Sequence, residues 1–311
     1  MIRTKAMLPV FLVLSLAFLW AGCSEEGGTS GVNGSSMTDE LALQQLILQD
    51  GEIEGLDAWG GDENALGGGG LDEPIEPIGW HRWGRPHVNS VRVEIHGDTF
   101  AVITRFAALN GGLRVITERT DSSFIYYDKP MFNRLVRVAH AVRVGHGPDP
   151  LRNWRIVAVS PEDMMSVEPN PHTVWPVFAD FFRRVGDELM PIMHIRDPLH
   201  TFFPRDHLPL LHPGDELIVR TAINRPGPVV AVFHPCVRPD RPHLRLPLRD
   251  DGMFPDEIAG DGVFAASFLI EDHHGVFLAA VDFIEGGTIH DSEMPYDAGG
   301  WAVPYRVAEE M

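Results

Sequence analysis

A short loop in the C-terminal part of the chain concentrates carboxylates. The sequence from 250 to 262 is DDGMFPDEIAGDG, and its acidic residues are Asp250, Asp251, Asp256, Glu257 and Asp261. Calcium binds about six to eight oxygen atoms, and glycines let a loop fold back so that its carboxylates meet. The spacing differs from that of an EF-hand loop. Two successive Asp-Gly turns, whose carboxylates bind their own backbone, would use the same residues. The loop is therefore a candidate Ca2+ site, with plain turns as the alternative.

One histidine stands among valines on a predicted strand. His140 shares a strand face with Val136, Val138, Val142 and Val144, because residues two apart point to the same side of a strand. A histidine that faces a pocket can act as a general base near neutral pH. The sequence names no carboxylate partner for His140, and a hydrogen-bonded core histidine fits the same pattern. His140 is thus a candidate catalytic residue with a structural alternative.

The remaining reactive side chains match no catalytic or zinc motif. The chain has fifteen histidines, and none of them falls in a His-Glu-x-x-His pattern. Nucleophile-elbow, P-loop and dinucleotide-binding fingerprints do not occur in the sequence. Cys236 follows a strand-like run and is predicted to be a small buried side chain. These observations favour a protein that is not an enzyme.

Cys23 ends a run with the layout of an export signal. The run is MIRTKAMLPVFLVLSLAFLWAGC, with Arg3 and Lys5 at its start and an apolar stretch too short to span a bilayer. It resembles the lipobox of bacterial lipoproteins. The resemblance implies that residues 1–22 are a signal peptide, that the Cys23 thiol carries the lipid, and that the membrane is a partner through it. With Ser24 after the cysteine, it implies the cell envelope, at the outer membrane where the organism has one.

Charge is distributed unevenly along the chain. The whole sequence has 25 Lys and Arg against 44 Asp and Glu, which gives a formal charge of −19. Residues 24–80 hold thirteen of the acidic side chains and no Lys or Arg. A chain without a basic surface cannot displace counterions from a phosphate backbone, so nucleic acid is not an expected partner. Residues 23–37 are rich in Gly and Ser and are predicted to be a flexible linker.

Residues 38–166 are predicted to form an α+β domain. A capped amphipathic helix over 38–50 precedes an acidic, Gly-rich insert, and period-two strands begin at Val88. Asn110-Gly111-Gly112 predicts a hairpin turn between two strands. The runs GDTFAVITRF, RVAHAVRVG and NWRIVAVS resemble the cystatin-like fold of the nuclear-transport-factor superfamily. That resemblance implies a curved sheet closed by helices, in a superfamily of small isomerases, cyclases and non-enzymatic binding modules.

Residues 172–307 are predicted to form an all-β sandwich, after a boundary near 167–173. Six or more short strands follow one another from Glu216 onward at roughly ten-residue spacing. The segment 174–195 fits either a helix or two strands, with strands slightly favoured. The acidic loop followed by VFAASF resembles a loop of immunoglobulin-like modules of bacterial surface proteins, including the choice-of-anchor type. The closing YDAGGWAVPYRV looks like the final strand of uncharacterised lipoproteins in that group.

The predicted function is that of a membrane-anchored envelope lipoprotein with a non-enzymatic binding or structural role. Two alternatives stay open. A small isomerase or hydrolase would use His140 in the first domain, and a pocket with a carboxylate beside His140 would favour it. A calcium-dependent, glycan-binding surface module would use the acidic loop, and convergence of the carboxylates of Asp250, Asp251, Asp256 and Asp261 would favour it. The sequence does not identify a protein or glycan partner.

Overall fold

The computed structural model describes residues 37–49, 79–119, 124–237 and 244–309, so the predicted signal peptide, Cys23, the predicted linker and the Gly-rich insert lie outside the described residues, apart from Met37. The described chain is mainly β-structure in largely antiparallel sheets, as the sequence predicts. The helices and strands, in chain order, are α1 (Asp39–Gln49), β1 (Gly79–His96), β2 (Phe100–Arg119), β3 (Phe124–Arg143), β4 (Trp154–Val159), β5 (Glu162–Ser166), β6 (Pro176–Val185), β7 (Glu188–Ile195), β8 (Phe203–Pro204), β9 (Leu210–Leu211), β10 (Glu216–Ile223), β11 (Val229–Val237), β12 (Leu246–Pro247), β13 (Val263–Leu269), β14 (Gly275–Glu285), α2 (Gly286–His290) and β15 (Ala298–Val307).

The helix α1 forms where the sequence predicts it. The backbone N–H of Leu41 donates a hydrogen bond to the Thr38 hydroxyl at 3.2 Å, which caps the first turn. Leu43 and Ile47 on its apolar face are buried. They join a small core with side chains of β2, β3 and β4, namely Ala101, Ile103, Ala139, Ala141, Trp154, Ile156 and Val159. The helix therefore covers one end of the long strands.

Eleven strands form the large sheet, whose main path runs β1-β2-β3-β5-β15-β14-β11-β12. Off this path, β4 pairs with β3 and β8, and β9 pairs with β15. The strands β1, β2 and β3 are 18, 20 and 20 residues long, well above the usual strand length. Because of this length, Ala101 and Ile103 near the start of β2 contact α1. Leu109 and Leu113, further along the same strand, lie in a second, separate hydrophobic core, which is described below.

The hairpin turn predicted at Asn110-Gly111-Gly112 is wrong. β2 runs through these residues, and Gly111 pairs with Gly84 of β1 and with a residue of β3. A Cβ atom on Gly111 would overlap the carbonyl oxygen of Trp83 and would lie 2.8 Å from the Gly84 Cα atom. Glycine at this position therefore allows two strand backbones to approach closely. Close backbone contact is a common reason for glycine inside a strand.

The segment 174–195 is a β-hairpin, the slightly favoured of the two interpretations. β6 and β7 pair in antiparallel register around a turn in which Gly186 has φ of 63°. Phe181 is fully buried, whereas its neighbour Phe182 lies on the opposite, half-buried face. This alternation is the period of a strand, and it explains why an apolar run with near-helical spacing folds as β-structure.

A small four-stranded sheet, in the order β13-β10-β6-β7, packs on one face of the large sheet. The resulting β-sandwich fits the architecture predicted for the C-terminal segment. Its core takes alternate residues from both sheets, as strand geometry requires. The buried residues from the small sheet are Ala179, Phe181, Met193, Ile195, Leu217, Val219 and Ala266. Those from the large sheet are Val229, Ala231, Phe233, Phe277, Ala279, Val281, Phe283, Trp301, Val303, Tyr305 and Val307.

The large sheet crosses the predicted domain boundary at 167–173. The strand β5 lies before this boundary, and it pairs with β3 on one side and with β15 on the other. From Met37 onward the chain belongs to one compact unit. Strands from both predicted segments, 38–166 and 172–307, therefore share one sheet.

The large sheet also curls until distant strands meet. Four strands separate β1 from β14 along the sheet, yet Arg82 of β1 forms an ion pair with Asp282 of β14. Arg245, which precedes β12, donates from Nη1 to the carbonyl oxygen of Trp80 in β1 at 2.9 Å. We call the line along which Trp80 and Arg82 meet Arg245 and Asp282 the seam. The second core fills the inside of this curl, with Leu109, Leu113, Met131, Leu135, Val232, Leu278, Ala280, Ile284, Tyr296 and Ala302 among its members.

Candidate functional site

The acidic loop is held at both ends by backbone pairing. Arg249 and Ala265 exchange hydrogen bonds of 2.9 and 2.8 Å, which brings the residues before and after the loop together. Gly252, Gly260 and Gly262 have φ of 71°, 73° and 82°. Because side chains rarely adopt this left-handed region, the glycines permit the reversals that fold the loop back on itself.

Three carboxylates of this loop converge. One oxygen each of Asp250, Asp256 and Asp261 lies within 4.8 Å of the other two. Asp256 is buried, with 5% of its surface exposed. Asp251 is not part of this group among the described residues; its Oδ1 accepts from the N–H of Met253 at 2.9 Å. The structure thus brings together three of the four predicted ligands.

The converging carboxylates are also engaged with the loop's own backbone. Asp250 accepts from the N–H groups of Gly260 at 2.6 Å and Gly262 at 2.9 Å, through different oxygens. Asp256 Oδ2 accepts from the N–H of Gly252 at 2.6 Å, and Asp261 Oδ1 accepts from Val263 at 2.8 Å. A calcium ion there would draw on the same three carboxylates and would need further oxygens to complete its coordination.

His140 lies in an aromatic stack. Its ring is 3.7 Å from the Phe202 ring between centroids, at an interplanar angle of 22°, and Phe100 meets it edge-on at 5.1 Å. Burial lowers the pKa of His140, so its imidazole is neutral at neutral pH. The contacts described for His140 are with these two rings. This environment suits a packing role better than that of a general base held by a carboxylate.

A buried charged cluster lies at the seam, and it was not among the expected sites. Arg82 makes a bidentate pair with Asp282, in which Nη2 donates to Oδ1 at 3.0 Å and Nη1 donates to Oδ2. His234 Nε2 lies 3.5 Å from Asp282 Oδ2. The exposed fractions of Arg82, Asp282 and His234 are 1%, 0% and 3%, so the cluster is closed to solvent.

The protonation state of each ionisable group in the cluster is set by burial and by the neighbouring charges. Burial alone would raise the pKa of Asp282, but Arg82 and His234 hold it well below its usual value. Burial lowers the pKa of His234 to about 4, with Arg245 and Arg82 acting in the same direction and Asp282 opposing them. At neutral pH the cluster therefore contains an ionised pair beside a neutral imidazole.

Tyr296 and Asn133 extend the cluster. Asn133 Nδ2 donates to the Tyr296 hydroxyl at 3.1 Å, and the Arg82 guanidinium lies 5.5 Å from the Tyr296 ring centroid. Burial raises the pKa of Tyr296 to about 12, so the phenol stays neutral. One sequence signal could have pointed here: Asp282 is the one charged residue within the apolar run VFLAAVDFI, and a lone charge in a buried strand requires a partner.

Comparison of the chain with protein-family models, curated proteins and solved structures finds no match. Among the described residues, no helix is long and apolar enough to cross a membrane.

Proposed function

We propose that the protein is a lipid-anchored envelope protein with a non-enzymatic binding or structural role. The observation that carries the non-enzymatic part of this proposal is the position of the ionisable groups whose pKa values are shifted. Strongly shifted pKa values commonly mark catalytic groups. Among the described residues, a cluster of such groups consists of Arg82, Asp282 and His234, which are closed to solvent and join β1 to the rest of the sheet, whereas the shifted Asp163 carboxyl accepts a hydrogen bond from Trp301. Their burial in contacts between strands supports a structural role for this cluster.

The anchor part of the proposal rests on the sequence that ends at Cys23. Two or three acyl chains on an N-terminus formed by Cys23 would hold the protein stably at a membrane, since each buried methylene contributes about 0.8 kcal/mol. The Gly/Ser-rich linker over 23–37 would then separate the β-structure from the bilayer. Ser24 supports the outer membrane as its site, where the organism has one.

The finer fold assignment also belongs to this proposal. The packing of α1 on the long strands β1, β2 and β3 supports a cystatin-like character for 38–166. The packing of the small sheet on β11, β14 and β15 supports an immunoglobulin-like character for 172–307. The shared pairing of β5 with β15 makes these two segments lobes of one β-structure. Such a body presents broad sheet surfaces for a protein or glycan partner.

The anchor is tested by substituting the two cysteines separately. Cys23→Ser should abolish metabolic labelling with palmitate and should move the protein from the membrane to the soluble fraction. Cys236→Ser is the matched control, and it should leave both labelling and fractionation unchanged. Persistent fatty-acid labelling of the Cys23→Ser protein would show that the lipobox interpretation is wrong.

A second candidate function is a calcium-dependent surface module. The convergence of Asp250, Asp256 and Asp261 within 4.8 Å favours it, because carboxylate oxygens are the ligands that calcium prefers. In this role the ion would stiffen the loop that lies across the small sheet, where Glu257 pairs with Arg220 at 2.9 Å. A calcium-dependent change in the stability of the protein would distinguish this candidate from the first.

A further inference from the structure

Side chains hold the seam together. Arg82 pairs with Asp282, and Arg245 donates to the carbonyl oxygen of Trp80. The Arg245 guanidinium also lies over the Trp80 ring, 4.3 Å from its centroid. These contacts join β1 to residues 200 and 165 positions further along the chain. Breaking them would release the start of β1 from the rest of the curl while β1 stays paired with β2.

His234 is placed where it can disturb the central contact of the seam. Its Nε2 atom approaches Oδ2 of Asp282, the same oxygen that Arg82 Nη1 binds. The groups that face His234 come from three elements: Asp282 from β14, Arg82 from β1, and Arg245 from the residues before β12. His234 therefore faces one carboxylate and two guanidinium groups in a site closed to water.

We propose that Arg82, Asp282 and His234 form an acid-sensitive lock on the seam, closed while His234 is neutral and released when it is protonated. A neutral imidazole leaves the Asp282 carboxylate to Arg82. A protonated His234 competes for Oδ2 and places a third cation, with Arg82 and Arg245, around one carboxylate. An uncompensated buried charge is costly, and opening the seam lets water solvate it.

The sign of the pH dependence follows from the direction of the shift. Burial, with the help of Arg245 and Arg82, lowers the pKa of His234 from 6.5 to about 4 in the closed protein. In the open seam the imidazole is in water and returns to its ordinary value. Between about pH 6.5 and pH 4 the open state therefore binds more protons, and the closed state loses stability as the pH falls. Asp282, whose pKa is held low, adds to this loss only below its ordinary value of 3.8.

Other groups titrate in the same interval, so the measurement has to be local. Burial raises the pKa of Asp163 to about 6, and that carboxyl favours the folded protein as the pH falls. Burial lowers the pKa of His140 and of His172, which act in the opposite direction. Asp163 binds Trp301 Nε1 at 3.1 Å on the sheet face opposite the lock. A melting curve would sum all these contributions, whereas amide exchange near the seam reports the lock.

The test is amide hydrogen exchange of the mature protein at pH 7 and pH 5, with rates corrected for intrinsic exchange. We expect peptides that cover residues 79–86 of β1 to exchange roughly 20-fold faster at pH 5, from proton linkage between pKa values of about 6.5 and 4. Peptides from β6 and β10 in the small sheet should change little. An unchanged rate at residues 79–86, or an equal increase in the small sheet, would overturn the proposal.

Matched variants separate the lock from general acid effects. His234→Gln keeps a polar side chain that cannot take up a proton, and it should remove the acceleration at residues 79–86. His140→Gln should retain the acceleration. If His234→Gln does not fold, Arg245→Gln serves instead. It should speed exchange at residues 79–86 at pH 7, because one contact of the seam is lost. It should also reduce the ratio of the exchange rate at pH 5 to that at pH 7, because a cation facing His234 is gone. A full 20-fold ratio in His234→Gln, or in Arg245→Gln, would contradict the lock.

Discussion

Ser166 and Asp297 are 131 residues apart in the chain and share a buried hydrogen bond, in which the Ser166 hydroxyl donates to Asp297 Oδ1 at 3.1 Å. The backbone N–H of Thr173 donates to the same carboxylate, at 3.1 Å from Oδ2. Asp297 therefore binds the residue just before the segment 167–173 and the last residue of that segment, where the sequence predicts a domain boundary. It fastens that segment to the start of β15.

The fragment 172–311 should not fold by itself. Without β1, β2 and β3 it would expose one face of β14 and β15, including Leu278, Ala280 and Ala302, which the whole protein buries. Far-UV circular dichroism and thermal unfolding of this fragment, compared with 37–311, measure the effect. We expect a cooperative transition for the longer chain alone. A cooperative transition in the isolated fragment would instead support two independently folding domains.

Removing one partner of the seam ion pair should destabilise the protein strongly. Arg82→Met leaves Asp282 buried without its guanidinium, and breaking a buried pair in this way costs about 3–5 kcal/mol. Arg114→Met is the control, because Arg114 pairs with Asp128 at 2.8 Å with about a third of each side chain exposed. Such partly exposed pairs contribute about 0–1 kcal/mol. Urea unfolding at pH 7 measures both losses, and similar losses in the two variants would contradict the role assigned to burial.

Gly111→Ala should lower the free energy of unfolding, because the new Cβ atom would meet the backbone of β1 and neither strand can move freely. Overpacking of this kind costs about 1–3 kcal/mol and sometimes more. Gly147→Ala is a control in open structure, where the nearest atom to a new Cβ is Asn153 Oδ1 at 3.5 Å. We expect it to change stability by less than about 1 kcal/mol. Equal effects of the two substitutions in urea unfolding would show that strand contact does not explain Gly111.

Calcium should have little effect on thermal stability if the acidic loop is closed by its own backbone. A site filled to a hundredfold excess over Kd would add about 2.7 kcal/mol, or roughly 5 °C for a protein of this size. We expect a shift below about 2 °C between calcium and chelator, because Asp250, Asp256 and Asp261 already accept backbone hydrogen bonds.

The calcium experiment has internal controls in the same loop. Asp256→Asn and Asp261→Asn change converging carboxylates, whereas Asp251→Asn changes one that is not part of the converging group. A shift near 5 °C that the first two variants abolish and the third retains would establish the loop as a calcium site. It would also favour the second candidate function over the first.

Local signals predicted the elements whose structure is set by near neighbours. The cap at Thr38 and the apolar face of α1 locate the helix, and alternation along β10 places Leu217 and Val219 in the sandwich core. The turn predicted at Asn110-Gly111-Gly112 failed because the same glycines allow close strand contact. Whether a glycine turns the chain or admits a neighbour depends on a strand that the local sequence does not contain.

The seam could not be predicted for a related reason. Arg82, His234 and Asp282 lie on three strands spread over 200 positions, and no spacing rule connects them. The converging aspartates were easier to predict because they belong to one short loop. His234 and Asp282 are therefore visible in the sequence only as isolated polar positions in apolar runs, and Arg82 stands among other polar residues.

The strand β15 follows every other strand of the large sheet in the chain, yet it lies in the middle of that sheet between β5 and β14. A ribosome delivers the chain from its N-terminus, so β5 emerges long before the strand that joins it to β14, and β14 emerges shortly before that strand. Until β15 arrives, both keep an open edge able to pair with another molecule. Chains interrupted before residue 298 would lack this joining strand. They would expose two unpaired strand edges and would therefore be prone to aggregate, although they are only slightly shorter than the whole protein.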